Sequence, residues 1–528
     1  MENKVKTTRE ALDMIPDGAV VASSGFVLWG TPDWLFKALE DRFLETGHPN
    51  RLECVFLGSA GLENSGFDRW AHEGLVSKII AGHIGLNPNI SRLVSENKCQ
   101  AYNWPHGVIL EAFRAAICGQ ESFLTKTGLQ TFVDPRLDGC KMNQAATEDM
   151  VRLVDVEGEE WLRFPTPTFD VGLIRGTTAD AYGNVSIEDE CSPLNLRDIA
   201  MAVHRCGGKV IVQVKNLCAH KLPAAQIEIP GAFVDAVVQC PEPETYHRQT
   251  QNLYYAPEYC GRIDIPTETL KILPLDAKKV IARRCAMELK PNALINLGIG
   301  IPELVGNIAA EEELNDDLIL SVEDGITGGV PGSGDTFGAA LNAIGLLPMS
   351  TTFDLYNGGA LDMAVLGLAE CDAVGNINVS KFGPKVPGCG GFVNITQSSP
   401  LVLFAGTFTA GAMVEVIDGK LCILREGKVK KFKKKVQQIT FSGTYANSVG
   451  QKVLYVTERA VLELTKDGLM LTEIAPGVDL QRDVLDQMEF RPLIAAELKT
   501  MDLRLFSVAS MGLRPNASSP CSEALFTT

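Results

Sequence analysis

The sequence predicts an α/β protein built from two related halves with largely parallel sheets. Three observations carry that reading. Short β-branched runs alternate with helical stretches along the chain. A strand, a glycine turn and a helix recur at the start of each half. The segment Asp180-Ala-Tyr-Gly-Asn-Val-Ser returns as Asp372-Ala-Val-Gly-Asn-Ile-Asn, at the same offset from an apolar run each time. Two correspondences in the same order favour duplication of an α/β unit over coincidence.

Taken in order, Ala19-Val-Val-Ala-Ser-Ser reads as a buried strand that Gly25 and Gly30 break. Thr31 and Pro32 then open an amphipathic helix running towards Phe43, with Thr31 as its cap and Pro32 in its first turn. Val171-Gly-Leu-Ile precedes the first copy of the repeat and Val210-Ile-Val-Gln-Val follows it. In the second half, Asp276 caps a helix through Lys290 and Ala293-Leu-Ile-Asn-Leu is a strand. Gly298-Ile-Gly-Ile-Pro is then a turn, and a second helix starts at Glu303. Met363-Ala-Val-Leu and Leu401-Val-Leu-Phe flank the second copy of the repeat. Pro, Gly and polar residues concentrate between Pro257 and Pro274, which places the linker there and gives domains 1–265 and 275–528. Crossover helices follow from parallel strands, and two domains facing each other put a site in their cleft.

Composition bounds the function. A chain of 528 residues is long enough for two large domains. With 48 Lys+Arg against 65 Asp+Glu, the net charge of −17 disfavours nucleic acid as a partner. Hydrophobic residues at 45% and charged residues at 21% describe a globular protein and rule out disorder over most of the length. The 14 cysteines are scattered singly, with no C-x-x-C pair, as expected for reduced and mostly buried thiols. The first residues lack the apolar stretch of a secretory signal, and no apolar run reaches about 18 residues. A soluble, cytoplasmic protein with no membrane partner is the expectation.

Several chemistries are absent. All 7 histidines precede residue 248, so a centre in the second half works without imidazole or borrows one across the cleft. No H-E-x-x-H or His/Cys cluster is present, and no metal is expected. Neither G-x-S-x-G nor a P-loop occurs. Gly298-Ile-Gly-Ile-Pro is half of a dinucleotide fingerprint, but Glu303 occupies the place of its third glycine and would repel a pyrophosphate. Two readings of that turn stay open: a tight strand-to-helix connection, or amides approaching an anionic ligand. The basic run Lys428-Val-Lys-Lys-Phe-Lys-Lys-Lys reads as a lysine-protected edge, with phosphate contact as its alternative. Glu311-Glu-Glu-Leu-Asn-Asp-Asp reads as a solvated helix end.

The site signal lies at Leu318-Ile-Leu-Ser-Val-Glu-Asp-Gly, where a strand run leads into Glu323 and then Gly325, Gly328, Gly329 and Gly332. A carboxylate at a strand end beside exposed amides is a way to present a reactive group. Gly388-Cys-Gly-Gly-Phe could supply N–H donors to an oxyanion. Either cluster alone is an ordinary glycine-rich loop; together they suggest a site.

These residues resemble the class I CoA-transferases, most closely the acetate/propionate CoA-transferase group. The resemblance rests on Glu323-Asp-Gly, Phe353-Asp-Leu-Tyr-Asn-Gly-Gly-Ala-Leu-Asp, Gly375-Asn-Ile-Asn-Val-Ser-Lys-Phe-Gly-Pro and Gly388-Cys-Gly-Gly-Phe. Ala71-His-Glu-Gly-Leu, Thr131-Phe-Val-Asp-Pro-Arg, Ile229-Pro-Gly and Leu471-Thr-Glu-Ile-Ala-Pro-Gly-Val-Asp-Leu extend it over nearly the whole chain. It implies two homologous CoA-transferase domains in one chain, and a homotetramer. It places the family's glutamate nucleophile on Glu323. It implies that the backbone of Gly298, Ile299, Gly300, Ile301 and Pro302, with the amides of Gly390 and Gly391, binds CoA or the thioester oxygen. Asn378 is a further CoA contact on the same grounds. Three positions depart from the pattern. His106, in Pro105-His106-Gly107, stands where relatives carry a glutamine that donates to the oxyanion; Asp324 replaces a small residue or an amide; Ala360 replaces a glycine.

The activity so implied moves CoA between short-chain acyl-CoA and free carboxylates such as acetate, propionate or butyrate, by ping-pong kinetics through a glutamyl-CoA thioester. No cofactor is held permanently; CoA is substrate and covalent intermediate. The rivals are an acyl-CoA hydrolase on the same site and a non-catalytic sensor of CoA or a sugar phosphate.

Overall fold

The computed structural model describes residues 4–266 and 272–513. In the first half the chain runs β1 (Val20–Ser23), α1 (Asp33–Thr46), β2 (Leu52–Gly58), β3 (Val76–His83), β4 (Gln100–Asn103), α2 (His106–Ile117), β5 (Val171–Asp180), α3 (Leu196–Arg205), β6 (Lys209–Cys218) and β7 (Ala236–Gln239). The strands lie in the order β7-β6-β5-β1-β2-β3-β4, all parallel to their neighbours. A short strand at Val185–Ser186 returns antiparallel onto β5.

The second half runs α4 (Ala277–Ala286), β8 (Leu294–Leu297), α5 (Leu304–Glu311), β9 (Ile319–Ser321), β10 (Ile326–Thr327), β11 (Gly345–Leu346), α6 (Met349–Asn357), β12 (Met363–Gly367), α7 (Phe392–Ser398), β13 (Leu401–Ala405), β14 (Lys452–Val456), β15 (Ala460–Thr465), β16 (Gly468–Ile474) and β17 (Leu493–Thr500). They form a ten-stranded sheet in the order β11-β10-β9-β8-β12-β13-β14-β15-β16-β17. From β9 to β14 it is parallel; β10, β11 and β15 add antiparallel margins.

The duplication is visible in the sheets. The order β6-β5-β1-β2 in one half is matched by β13-β12-β8-β9 in the other. The two repeat segments also close the same loop. Asp180 accepts hydrogen bonds from the Tyr182 and Asn184 amides, and Asp372 from those of Val374 and Asn376. Asn184 and Asn376 each return a side-chain bond to that aspartate. Each also accepts from a distant glycine, Gly231 N–H and Gly443 N–H respectively. In both loops the glycine of the motif has a left-handed backbone, φ +80° at Gly183 and +83° at Gly375.

Local expectations fare unevenly. Asp276 does cap its helix, accepting from the Lys279 amide at 2.9 Å. That helix stops at Ala286, short of Lys290. The Glu288 and Leu289 amides bond back three residues, and Pro291 disfavours helical Lys290. Thr31 is not a cap: its hydroxyl donates to the Val27 carbonyl, and the helix starts at Asp33 after Pro32 with no side-chain cap. The acidic run is not simply solvated. Glu311 pairs with Lys279, while buried Glu312 accepts amides of residues 511–513 and pins that segment. The basic run is a strap. Phe432 enters the core, Lys433 pairs with Glu489, and Lys431 donates to the Leu368 carbonyl. The linker segment begins with a helical turn at Pro257–Cys260; its residues 267–271 lie outside those described.

One apolar cluster runs through both halves, from Phe113, Phe169 and Val212 to Phe353, Phe404 and Tyr455. Among the described residues no helix is long and apolar enough to cross a membrane, and every cysteine is a free thiol.

Candidate active site

Glu323 sits on a tight turn after β9. The Val322 N–H donates to Ile326 O at 2.9 Å and the Gly325 N–H to Val322 O at 3.1 Å, so Glu323 and Asp324 form the corner. Gly325 is required there: φ is +116°, and a Cβ would lie 1.9 Å from the Leu347 carbonyl oxygen. The corner sends its two carboxyls into different surroundings. Glu323 reaches a cavity of about 410 Å³ with its side chain 16% exposed, whereas Asp324 is wholly buried.

Both halves build that cavity. The first contributes Phe26, Ser59, His83 and His106; the second contributes Glu323, Phe337, Val379 and the loop Gly388–Phe392. The halves are stitched along this wall. His106 N–H donates to Gly390 O at 3.0 Å, Gly107 N–H to Asn394 Oδ1 at 3.1 Å, and Cys389 N–H to Asn103 Oδ1 at 2.9 Å. Among the described residues no lysine or arginine lines the cavity.

His106 is the first residue of α2 and is 1% exposed. Its Nδ1 lies 3.5 Å from Glu323 Oε2, and neither ring nitrogen has a hydrogen-bond partner among the described residues. Phe26 and Phe353 meet the ring edge-on. A Cβ at Gly82 would fall 2.1 Å from His106 Cδ2, so glycine at the end of β3 makes room for the imidazole. A buried imidazole without partners, beside a carboxylate, is arranged for a ligand rather than for stability.

The glycine loop supplies one free donor, not two. Gly390 N–H is committed to Gly82 O at 2.8 Å, because the loop bridges to the end of β3 through His83 and Gly388. Gly391 N–H has no acceptor among the described residues, and a Cβ on Gly391 would sit 2.0 Å from Glu323 Oε2. Gly298 N–H is likewise used, bonded to Val365 O at 2.9 Å. Gly298 and Ile299 line the cavity, Ile299 with 54% exposure; Gly300, Ile301 and Pro302 do not. Asn378 does not line it, although its neighbour Val379 does. Its amide donates to Glu370 and Lys381 O while its oxygen accepts the Ser380 and Lys381 amides, so it closes a buried turn.

Ser59 and His83 were not singled out from the sequence. The signal was present: His83 ends a strand at its carboxyl end, where ligands of α/β sheets gather. Burial, with a smaller contribution from His106, lowers its pKa to about 4, so the ring is neutral near pH 7.

Burial holds the Asp324 pKa well above the carboxylate range, and the charge of Glu323 adds to it. Neither Asp324 oxygen has a side-chain hydrogen-bond partner among the described residues, and burial disfavours its charged form. The sign of its effect on stability follows. From about pH 4 up to its raised value the folded chain keeps a proton that the unfolded chain releases, so this group lowers stability as pH rises. Asp324→Asn is therefore expected to shift Tm upwards by more at pH 8 than at pH 5. An equal shift at both would show Asp324 already ionised.

A carboxylate on a tight corner, an unpartnered imidazole beside it and a glycine-lined wall are features that acyl-transfer chemistry can use. The sequence pattern described as coenzyme A transferase matches residues 5–240 and 278–485. The chain belongs to the coenzyme A transferase family and is a CoA-transferase. It is 45% identical over 518 residues to caffeate CoA-transferase of Acetobacterium woodii, covering 97% of this chain and 98% of that one. It is 42% identical over 517 residues to the acetate CoA-transferase YdiF of Escherichia coli K12, covering 96% of each. The crystal structure of YdiF from E. coli O157:H7 as a thioester complex with CoA superposes with a TM-score of 0.89 at 39% identity, covering 97% of each chain.

Proposed function

We propose that this CoA-transferase moves CoA between acyl-CoA and free monocarboxylates through a covalent thioester on Glu323. The observation that carries this is the Glu323 carboxylate in the cavity, with the Gly391 backbone and His106 beside one oxygen. The Glu323 carboxylate attacks the acyl carbonyl; the C–S bond breaks, giving a mixed anhydride and CoA thiolate. The thiolate attacks the Glu323 carbonyl carbon; the C–O bond to the acyl group breaks, releasing its carboxylate and leaving glutamyl-CoA. A second carboxylate reverses the sequence. No proton is gained or lost in either step, so the site needs an ionised glutamate and oxyanion donors but no general base. Gly391 N–H and the His106 ring serve as those donors, each worth about 3 kcal/mol in the transition state.

The YdiF thioester complex with CoA supports the covalent route. The absence of a lining lysine or arginine among the described residues favours acids with one carboxylate, since a second would enter an apolar wall uncompensated. Acetate, propionate, butyrate and lactate are the first candidates. A second reading has a specific basis: Phe26, Val27, Leu86 and Phe337 offer an apolar surface for an aromatic acid, in line with the relative named caffeate CoA-transferase. Ranking kcat/KM for butyrate against caffeate separates the two.

Treating the protein with acyl-CoA alone, then borohydride, should reduce a thioester at Glu323 to the alcohol, read by peptide mass spectrometry. Acid release with an unmodified Glu323 would favour a hydrolase; bound, unchanged acyl-CoA would favour a sensor. His106→Ala is expected to lower kcat about 100-fold, as for loss of one oxyanion donor. His106→Gln restores an amide donor and should recover most of that loss. Equal activity of the two variants would remove His106 from the oxyanion role.

A further inference from the structure

The mechanism contains two tetrahedral adducts centred on different carbons, first the acyl carbonyl and then the Glu323 carboxyl. Gly391 and His106 both lie against Glu323 Oε2, so they account for the second. The first needs its own donor. A second imidazole, unused above, lines the same cavity.

His83 is held by both the backbone and the side chain of Ser59. The Ser59 N–H donates to His83 O at 2.8 Å, and Ser59 Oγ lies 2.9 Å from His83 Nδ1. Ser59 is buried with a left-handed backbone, φ +30°, a strained conformation for a non-glycine residue. The Leu86 amide donates to Ser59 Oγ at 3.4 Å, and the hydroxyl proton has two acceptors in reach, His83 Nδ1 at 2.9 Å and His83 O at 3.4 Å; the shorter contact assigns it to Nδ1. That assignment puts the ring proton of neutral His83 on Nε2, which has no hydrogen-bond partner among the described residues.

We propose that His83 is a catalytic hydrogen-bond donor to the acyl group: Nε2–H holds the acyl oxygen as Glu323 attacks, and the carboxylate oxygen as the acid leaves or enters. The inference rests on the covalent route through Glu323. Its chemistry is hydrogen bonding alone; the proton stays on the ring, so no co-reactant is needed. Ser59 is a positioning residue that fixes the tautomer, in the way a partner behind a functional histidine does.

The test is the rate of glutamyl-CoA formation from acyl-CoA without acceptor, by rapid quench, together with kcat/KM for the acceptor acid. His83→Leu should slow thioester formation about 100-fold and lower kcat/KM for the acid by a similar factor, the usual loss for one oxyanion donor. His83→Gln, which keeps an N–H donor on a side chain of similar reach, should recover at least part of it. Ser59→Ala should lose about 10-fold, as for a second partner that only orients. Wild-type thioester formation in His83→Leu would overturn the proposal. So would a folded His83→Gln no faster than His83→Leu. If His83→Leu does not fold, full activity in Ser59→Ala together with loss of thioester formation in His83→Gln overturns it. Wild-type enzyme giving no label at Glu323 refutes the covalent route itself, which separates the two failures.

Discussion

Glu323→Gln is expected to abolish CoA transfer, lowering kcat by about 10⁴ or more, the scale on which losing a covalent nucleophile is felt. The amide keeps the shape of the side chain, so folding and acyl-CoA binding should survive, and the defect should appear in kcat. The thioester should be absent after borohydride treatment. A second consequence follows from the corner it shares with Asp324. The Glu323 charge is one cause of the raised Asp324 pKa, so removing it should lower that pKa and flatten the fall in stability with pH. Transfer at the wild-type rate would move the nucleophile elsewhere.

Gly391→Ala should be nearly as damaging without touching a reactive group. A methyl there would stand 2.0 Å from Glu323 Oε2 and 2.9 Å from Phe353 Cζ. Phe353 is 1% exposed and fixed in the core that joins the halves, so the carboxylate is the partner that yields. Displacing a reacting group by about 1 Å costs on the order of 100-fold, and kcat/KM should fall by at least that. The melting temperature should change little if the carboxylate swings aside. A large drop in Tm with normal activity per folded chain would show that the backbone moves instead.

Much of the architecture was legible because it rests on local signals that occur twice. The Asp-x-x-Gly-Asn loops are written in short sequence, since the aspartate, glycine and asparagine bond within a few residues of each other. Glu323 stood out for the same reason, a carboxylate among glycines at a strand end. What could not be read was the fate of each amide. Gly390 and Gly391 are identical in sequence, yet one N–H is taken by Gly82 O and the other is free. That difference arises from a segment some three hundred residues away. Asn378 does not line the cavity, and its four polar side-chain contacts are internal, a pairing its motif does not announce. His83 was passed over because a lone histidine on an apolar strand carries no sign of the serine that will face it.

Glu323 lies in one half, and both imidazoles that line the cavity lie in the other. In a protein made of separate chains, such a site would be complete only while the chains stay associated. Here the covalent connection makes the meeting intramolecular, at an effective concentration of about millimolar or above for a short connecting segment. The proportion of the two halves is fixed at one to one by translation, and dilution, which would empty a site shared between free subunits, leaves this one assembled.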